Sequence, residues 1–456
     1  MPRTSKGAFK VFANAAICHL EVWKHTSTNR VTVQGMESGE TSRIRRRRRS
    51  VLSIYRELGD YMFRRSFRMS LINFKSLYST LKPALVHAIN EDNETKMKEK
   101  IHPVNGCIPM TVRLACAIRF WAGGDPYDIS VMFGISYCEV FTSVNYSCDA
   151  VNNTPDLDIV FPTNHDKQQS IANAFLAISE ANFGSCVGCL DGLLIWMHMP
   201  SKKECEEVKV GQKKFICGRK HKASLNLQAI CDSKRRFLDI SILFAASSSD
   251  LLAFEASSIR SKLAEEGFLA PGLCLFGDNA YVNTKYMATP YPNVSNDIER
   301  DAYNFYHSQL RINIECAFGM LVQRWGFLKK KTPRMYTIKK VIATVSCLCK
   351  LHNFLIDKGA NEVAEPPSTE DACTLAVDGS IQLATSNEEG QQGDDSPLVP
   401  ALTGGGEHFD DDPGYHFRRN LVREYQDHLL PRDAMFVVVT NNNLRRPPRN
   451  VSRNVL

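Results

Sequence analysis

The chain has 456 residues, 43% of them hydrophobic, with a formal net charge of +7. That is enough for a large buried core, and no apolar stretch approaches the roughly 20 residues of a spanning helix, which argues against a helical membrane protein. Fifteen cysteines fall in no regular framework and nothing resembles a secretory signal, so the thiols read as small buried apolar groups in a reducing compartment.

The charge is unevenly divided. Residues 360–416 hold 13 Asp or Glu and no Lys or Arg, which leaves 56 basic residues against 36 acidic ones, a net of +20, in the remainder. A basic body with a separate acidic segment is the pattern of a polyanion binder, although a basic soluble enzyme would look the same.

Residues 1–50 read as a basic disordered arm. Arg43 and the run Arg45-Arg46-Arg47-Arg48-Arg49 form one dense cluster, the pattern of a nuclear localisation signal or a phosphate-binding arm. An Arg-rich, acid-poor start also fits a transit peptide, but the density of the cluster favours the nucleus.

Residues 51–160 read as a helical domain. Apolar residues recur at helical spacing over 51–90 (Leu52, Tyr55, Leu58, then Phe74, Leu77, Leu81), enough for two or three helices. Pro109 is placed to open a helix over 110–121 that Gly123-Gly124 ends. Asp125 then caps a short helix to Phe133, Gly134 turns the chain, and Ser136 caps a third helix to Asp149. This is a helix-turn-helix-like pattern, and an ordinary three-helix module has the same signature. The helix in the reading position, 136–147, contains no Lys or Arg, so phosphate contacts fall to the Arg-rich flank.

From about residue 185 strands and helices alternate. Strands are expected over 187–197, 222–231, 237–244 and 273–276, and helices over 250–266, 301–321 and 336–357. That order predicts an α/β domain over 185–358, a mixed sheet with flanking helices. Residues 359–416 read as an acidic disordered linker, and 417–456 as a short helix followed by a basic tail.

Three acids stand out inside this domain. Asp191 closes the apolar run Val187-Gly188-Cys189-Leu190, Asp278 follows Leu273-Cys274-Leu275-Phe276-Gly277, and Glu315 sits in a helical apolar pattern. A carboxylate in or just after a core strand is costly unless a metal or an opposite charge compensates it, and three that converge repel one another. Divalent cations relieve that repulsion, which points to a metal-assisted reaction on phosphate. His307, Arg311 and Glu315 are spaced by four and share one helix face. Arg311 is placed to contact a phosphate or to hold Glu315, and Arg219, Lys220 and Lys222 to grip a nucleic-acid backbone.

Two cysteine patterns carry less. Cys186-Val187-Gly188-Cys189 has CxxC spacing, but it falls in a strand, where alternation is expected to send the two thiols to opposite faces. His352 beside Cys347 and Cys349 reads as packing within the last helix.

Ordered motifs then carry a resemblance. Gly188-Cys189-Leu190-Asp191-Gly192, Gly218-Arg219-Lys220 with Ser224 to Gln228, Ser248-Ser249-Asp250 and Gly277-Asp278-Asn279-Ala280-Tyr281 come first. Thr289-Pro290-Tyr291, Tyr303-Asn304 with His307-Ser308, Arg311 with Ile314-Glu315-Cys316-Ala317-Phe318-Gly319, Arg324-Trp325 and Leu351-His352-Asn353 follow, with Glu315 37 positions after Asp278. In order and spacing they resemble the PIF/Harbinger transposase superfamily, whose DDE nuclease domain is of the plant-transposon or Tnp4 type. Phe67 to Ser70 and Arg119 to Gly124 resemble its helical N-terminal region, so the likeness runs from about residue 65 to 358.

The resemblance implies an RNase H-like fold with Asp191, Asp278 and Glu315 as the catalytic, metal-holding triad, loaded with Mg²⁺ or Mn²⁺. It implies hydrolysis and strand transfer on DNA in the nucleus, by several copies of the chain acting beside a separate Myb-like DNA-binding partner. Where relatives carry a His-Asp pair, Ser249 precedes Asp250 here, so an accessory role for that turn does not carry over. Two alternatives stay open: a domesticated DNA-binding or recruiting derivative without relevant nuclease activity, and a hydrolase acting on RNA or hybrids.

Overall fold

A computed structural model describes residues 47–98, 107–218, 220–245, 249–292 and 297–360. Arg45, Arg46, Arg219, the linker beyond Ala360 and the segment 417–456 lie outside the described residues. The described residues all belong to one unit of the chain.

Helices α1 (Val51–Phe67) and α2 (Leu71–Lys98) come first, followed by α3 (Met110–Trp121), α4 (Pro126–Phe133) and α5 (Tyr137–Asn152). Local chemistry sets their ends. Asp125 accepts from the Tyr127 N–H, Ser136 accepts from the Glu139 N–H, and Gly134 turns the chain with φ +65°. Buried Arg113 of α3 donates to Glu139 of α5 at 2.9 Å, a charge-assisted bond that locks the pair. Residues before Val51 are tied to the helices: Arg49 N–H donates to Phe133 O at 3.3 Å, and Ser50 caps α1.

Helix α6 (His165–Leu176) falls where the sequence reading places no element, because its apolar positions are few. Its anchor is a buried polar residue. Gln168 donates to Pro162 O and Phe268 O at 2.9 and 2.8 Å and accepts from Ala270 N–H at 2.7 Å.

The sheet is built from β1 (Cys186–Trp196), β2 (Ile216–Cys217), β3 (Lys222–Cys231), β4 (Phe237–Ala245), β5 (Cys274–Phe276) and β6 (Met287–Ala288). Its order is β3-β1-β5-β6, with β4 and the short β2 both paired to β3. The β1–β3 and β3–β4 pairs are antiparallel, and β1–β5 and β5–β6 are parallel. Helices α7 (Lys202–Glu207), α8 (Asp250–Glu255), α9 (Ser258–Ala264), α10 (Ile298–Arg324) and α11 (Ile338–Asp357) complete the unit. The single helix expected over 250–266 is two, because Ser257 caps α9 through the Arg260 N–H while its hydroxyl donates to Phe254 O.

Both faces of the sheet are covered, as a mixed α/β domain requires. Cys189, Ile195, Leu227 and Ala229 pack into the core that holds α10 and α11. Val187, Leu190 and Ile230 pack into a second core with Phe254, Ile259 and Leu263 of α8 and α9. Helix α11 also reaches back to the N-terminal helices: Lys350 Nζ donates to Asn152 O and Asp158 at 2.8 and 2.7 Å.

The two thiols of the CxxC segment do not point apart. Their sulfurs are 4.0 Å from each other, because the pairing of β1 with β5 is irregular between Cys186 and Gly188 and the alternation breaks there. His352 is fully buried, its Nε2 lies 2.9 Å from Arg235 O, and burial pushes its pKa down to about 3.

Candidate active site

Strand β1 is apolar on both faces until Asp191, its sixth residue. Asp191 pairs with Ala229 of β3 and keeps 21% of its side chain exposed. Burial is the main force on its carboxyl, pushing its pKa up to about 6. The Gly192 N–H, 2.7 Å away, and Arg311 pull it down, while the charges of Asp278 and Asp250 push it up. Asp278 follows β5 after Gly277 and accepts from the Ala280 N–H at 2.9 Å, a local turn that fixes its rotamer.

Helix α10 brings the third acid. Cys189 Sγ donates to Leu310 O at 3.2 Å, which sets the helix against β1 one residue before Arg311. Arg311 then bridges two carboxylates: Nη1 donates to Asp191 at 3.3 Å and Nη2 to Glu315 at 2.6 Å. The guanidinium is 18% exposed and Glu315 41%, so the group lies at an open edge. Among the described residues no three His, Cys, Asp or Glu side chains are grouped to hold a metal ion. Arg311, placed between Asp191 and Glu315, supplies positive charge to both.

His307 shares the helix with Arg311 but belongs to the core. It is fully buried, stacks on Phe276 with ring centroids 4.5 Å apart, and its Nε2 lies 3.1 Å from Ala288 O. Lys220 is exposed beside the β2–β3 connection, and Lys222 Nζ lies 5.7 Å above the Trp196 ring at the far end of β1.

Asp250 contributes more than its sequence context promised. Its Oδ1 accepts from Asn226 Nδ2 at 2.8 Å and from Gln228 Nε2 at 2.9 Å, and Tyr281 donates to Gln228 Oε1 at 2.7 Å. Gly192, opposite Gln228 in the ladder, leaves room for this network: a Cβ there would collide with Asp250 and come within 2.6 Å of Gln228 Nε2. Tyr281 lies three residues after Asp278, so the chain of bonds ties the Asp278 turn to β3. The signal was present as Ser224, Asn226 and Gln228, three polar residues at alternate positions of a buried strand.

Asp191 and Glu315 keep part of their side chains open to solvent. A cavity of about 870 Å³ is lined by Thr80, His87, Tyr146 and Asp149 of α2 and α5, away from these acids.

Residues 190–353 match the family model of the DDE superfamily endonuclease, a stretch that contains Asp191, Asp278 and Glu315. No curated protein and no solved structure matches the chain significantly. The family match supports a transposase-derived nuclease domain over these residues, and the mixed sheet with its flanking helices is compatible with one.

Proposed function

We propose that the chain is a nuclear, metal-dependent DNA endonuclease of the PIF/Harbinger transposase type, with an RNase H-like domain over residues 185–358. One observation carries this reading: Asp191 and Glu315, on different elements, meet at Arg311 while the charge of Asp278 bears on Asp191, all within the matched endonuclease stretch.

By its chemistry the donor set suits a hard divalent cation, Mg²⁺ or Mn²⁺, because Asp191, Asp278 and Glu315 offer only oxygen. Arg311 stands between two of them, however, and the three are not grouped as a metal site in this structure. Asp191 is also a partly buried carboxylate pressed by two neighbouring negative charges. When bound, such cations supply Lewis acidity at the scissile phosphate and activation of the attacking water or 3′-hydroxyl. The protein's own part is positional. Asp191 sits on the sheet, the Asp278 turn is held through Tyr281 and Gln228, and Glu315 rides on α10. Arg311 is suited to leave the carboxylates for the phosphate, where its planar fork matches two oxygens. Hydrolysis frees a strand end, and strand transfer follows by the same in-line attack with a 3′-hydroxyl in place of water.

The partners in this reading are DNA, further copies of the chain and a Myb-like DNA-binding protein. Arg45 to Arg49 provide the nuclear localisation signal. The absence of Lys and Arg on the α5 face favours a recruiting role for the helical region, which is also the basis of the second reading, a domesticated derivative that no longer cuts.

The test is nicking of supercoiled plasmid by the full chain with Mg²⁺ or Mn²⁺. Metal-dependent nicking is expected, and Asp278→Ala and Glu315→Gln are expected to abolish it without loss of fold. Failure of well-folded protein both to bind Mn²⁺ and to nick would leave the recruiting role.

A further inference from the structure

The end of the sheet where β1 finishes gathers positive charge from two segments far apart in sequence. Residues 199–222 hold eight Lys or Arg against three Glu, and residues 329–339 hold five Lys or Arg and no acid. The fold brings these segments together. Thr332 N–H donates to Trp196 O at 3.1 Å, which docks the 329–335 loop on the last residue of β1. Ile338 N–H donates to Glu204 Oε1 at 3.3 Å, joining the start of α11 to α7. Gln212 Nε2 donates to Pro200 O at 2.8 Å, which brings in the turn carrying Lys213 and Lys214.

The three Glu are outnumbered, and one of them already has local partners. The Glu204 carboxylate accepts from Ser201 N–H and hydroxyl as well as from Ile338, so local donors occupy it. Lys213, Lys214, Lys220, Lys329, Lys330 and Lys331 are all exposed. A face this basic repels cations and attracts a polyanion, with affinity set by the phosphates it neutralises.

We infer that this face is a phosphate-backbone docking surface for duplex DNA. The inference rests on the nuclease reading for its polymer and its geometry. Five residues of strand separate Asp191 from Trp196, roughly 17 Å at about 3.4 Å per residue. The rise along DNA is also about 3.4 Å, so a duplex lying along β1 with its cleaved phosphate at Asp191 meets this face about five base pairs away. Arg311 and the cations that the triad would carry hold the reacting phosphate, and the basic face fixes the flanking duplex and carries no sequence information of its own.

The experiment is fluorescence anisotropy of a labelled duplex of about 30 base pairs, titrated with full-length protein in EDTA over a series of salt concentrations, so that no cleavage intervenes. The triple variant Lys329→Ala, Lys330→Ala, Lys331→Ala is compared with wild type and with Asp278→Ala. Each phosphate that the protein no longer neutralises is expected to flatten the log–log salt slope by about 0.9, so the slope of the triple variant falls by about 2 to 3 and its affinity by at least about tenfold near 0.1 M salt. Its melting temperature stays at the wild-type value, and Asp278→Ala binds no more weakly than wild type.

A second variant, Lys213→Ala with Lys214→Ala, is expected to flatten the slope by about 2. Wild-type slope and affinity in both variants overturn the inference, as does clearly tighter binding of an RNA duplex of the same sequence. A chain that never nicks DNA yet binds it more weakly without these lysines refutes the nuclease reading and keeps this surface.

Discussion

Arg311 Nη1 lies 3.3 Å from Asp191 Oδ2, so a residue of α10 neutralises the central carboxylate of the first strand. The same guanidinium holds Glu315, and any cation that needs both acids must displace it. Removing the guanidinium removes a competitor. Arg311→Gln is therefore expected to bind Mn²⁺ at least about fivefold more tightly in the absence of DNA, the equivalent of one unit charge at about 4 Å in water. Nicking is expected to fall in the same variant, because the phosphate loses its fork. Calorimetric Mn²⁺ titration checks the first effect and plasmid nicking the second; weaker Mn²⁺ binding would mean that Arg311 organises the acids for the cation instead of competing with it.

The bond chain Tyr281–Gln228–Asp250–Asn226 predicts an unequal pair of variants. Tyr281→Phe deletes only a hydroxyl, but it strands Gln228 Oε1 in a buried site at a cost of about 1–3 kcal/mol. Asp250→Asn keeps an oxygen for both Asn226 and Gln228 and is expected to cost less than Asp250→Ala. Gly192→Ala forces a methyl into the Asp250 carboxylate and is expected to destabilise by about 1–3 kcal/mol. Thermal melts of the four variants decide this, and a harmless Gly192→Ala would show that the network is loose.

Much of the sheet and of the acidic site was legible because it rests on local, strongly patterned segments. The strand over 222–231 reads directly from its alternation of polar and apolar residues, and the caps Asp125 and Ser136 sit where short-range chemistry puts them. What escaped depends on distant partners. Helix α6 is held by Gln168 reaching Phe268, a hundred residues on, and β6 is two residues long and recognisable only beside β5. The contact of Cys186 with Cys189 needs an irregularity that strand alternation cannot foresee. The residue before Asp250 argues against a role for that turn, whereas the place of Asp250 is decided by Asn226 and Gln228 across the sheet.

Gly134 joins two requirements at one position. Its φ of +65° is left-handed, and a Cβ there would strike the Arg47 carbonyl, against which the basic segment runs. Gly134→Ala is expected to lower stability by about 1–3 kcal/mol and to release residues 47–49 from the turn. Limited trypsin digestion should then cut after Arg48 or Arg49 much faster than in wild type. Equal cleavage rates would mean that the segment does not depend on this contact in solution.

Asp239 gives a pH dependence that can be separated from the acids at the edge of β1. It lies on β4 opposite Ile230, and burial pushes its carboxyl up to about 6, with Lys262 pulling the other way. In the unfolded chain the same group titrates near 3.9. Between these two values the folded protein holds a proton that the unfolded chain has released, so the group adds stability as pH falls from about 6 toward 4. Above about 6 the buried charge is a net cost to the fold. Asp239→Asn removes that cost. The variant is expected to melt higher than wild type at neutral and alkaline pH, with the difference shrinking below about 6 and vanishing below about 4. Paired melting curves across that range test it, and because both proteins share every other titrating group, the difference isolates this carboxyl. Equal melting temperatures at neutral pH would show that water or Lys262 solvates Asp239 well enough to cancel its burial.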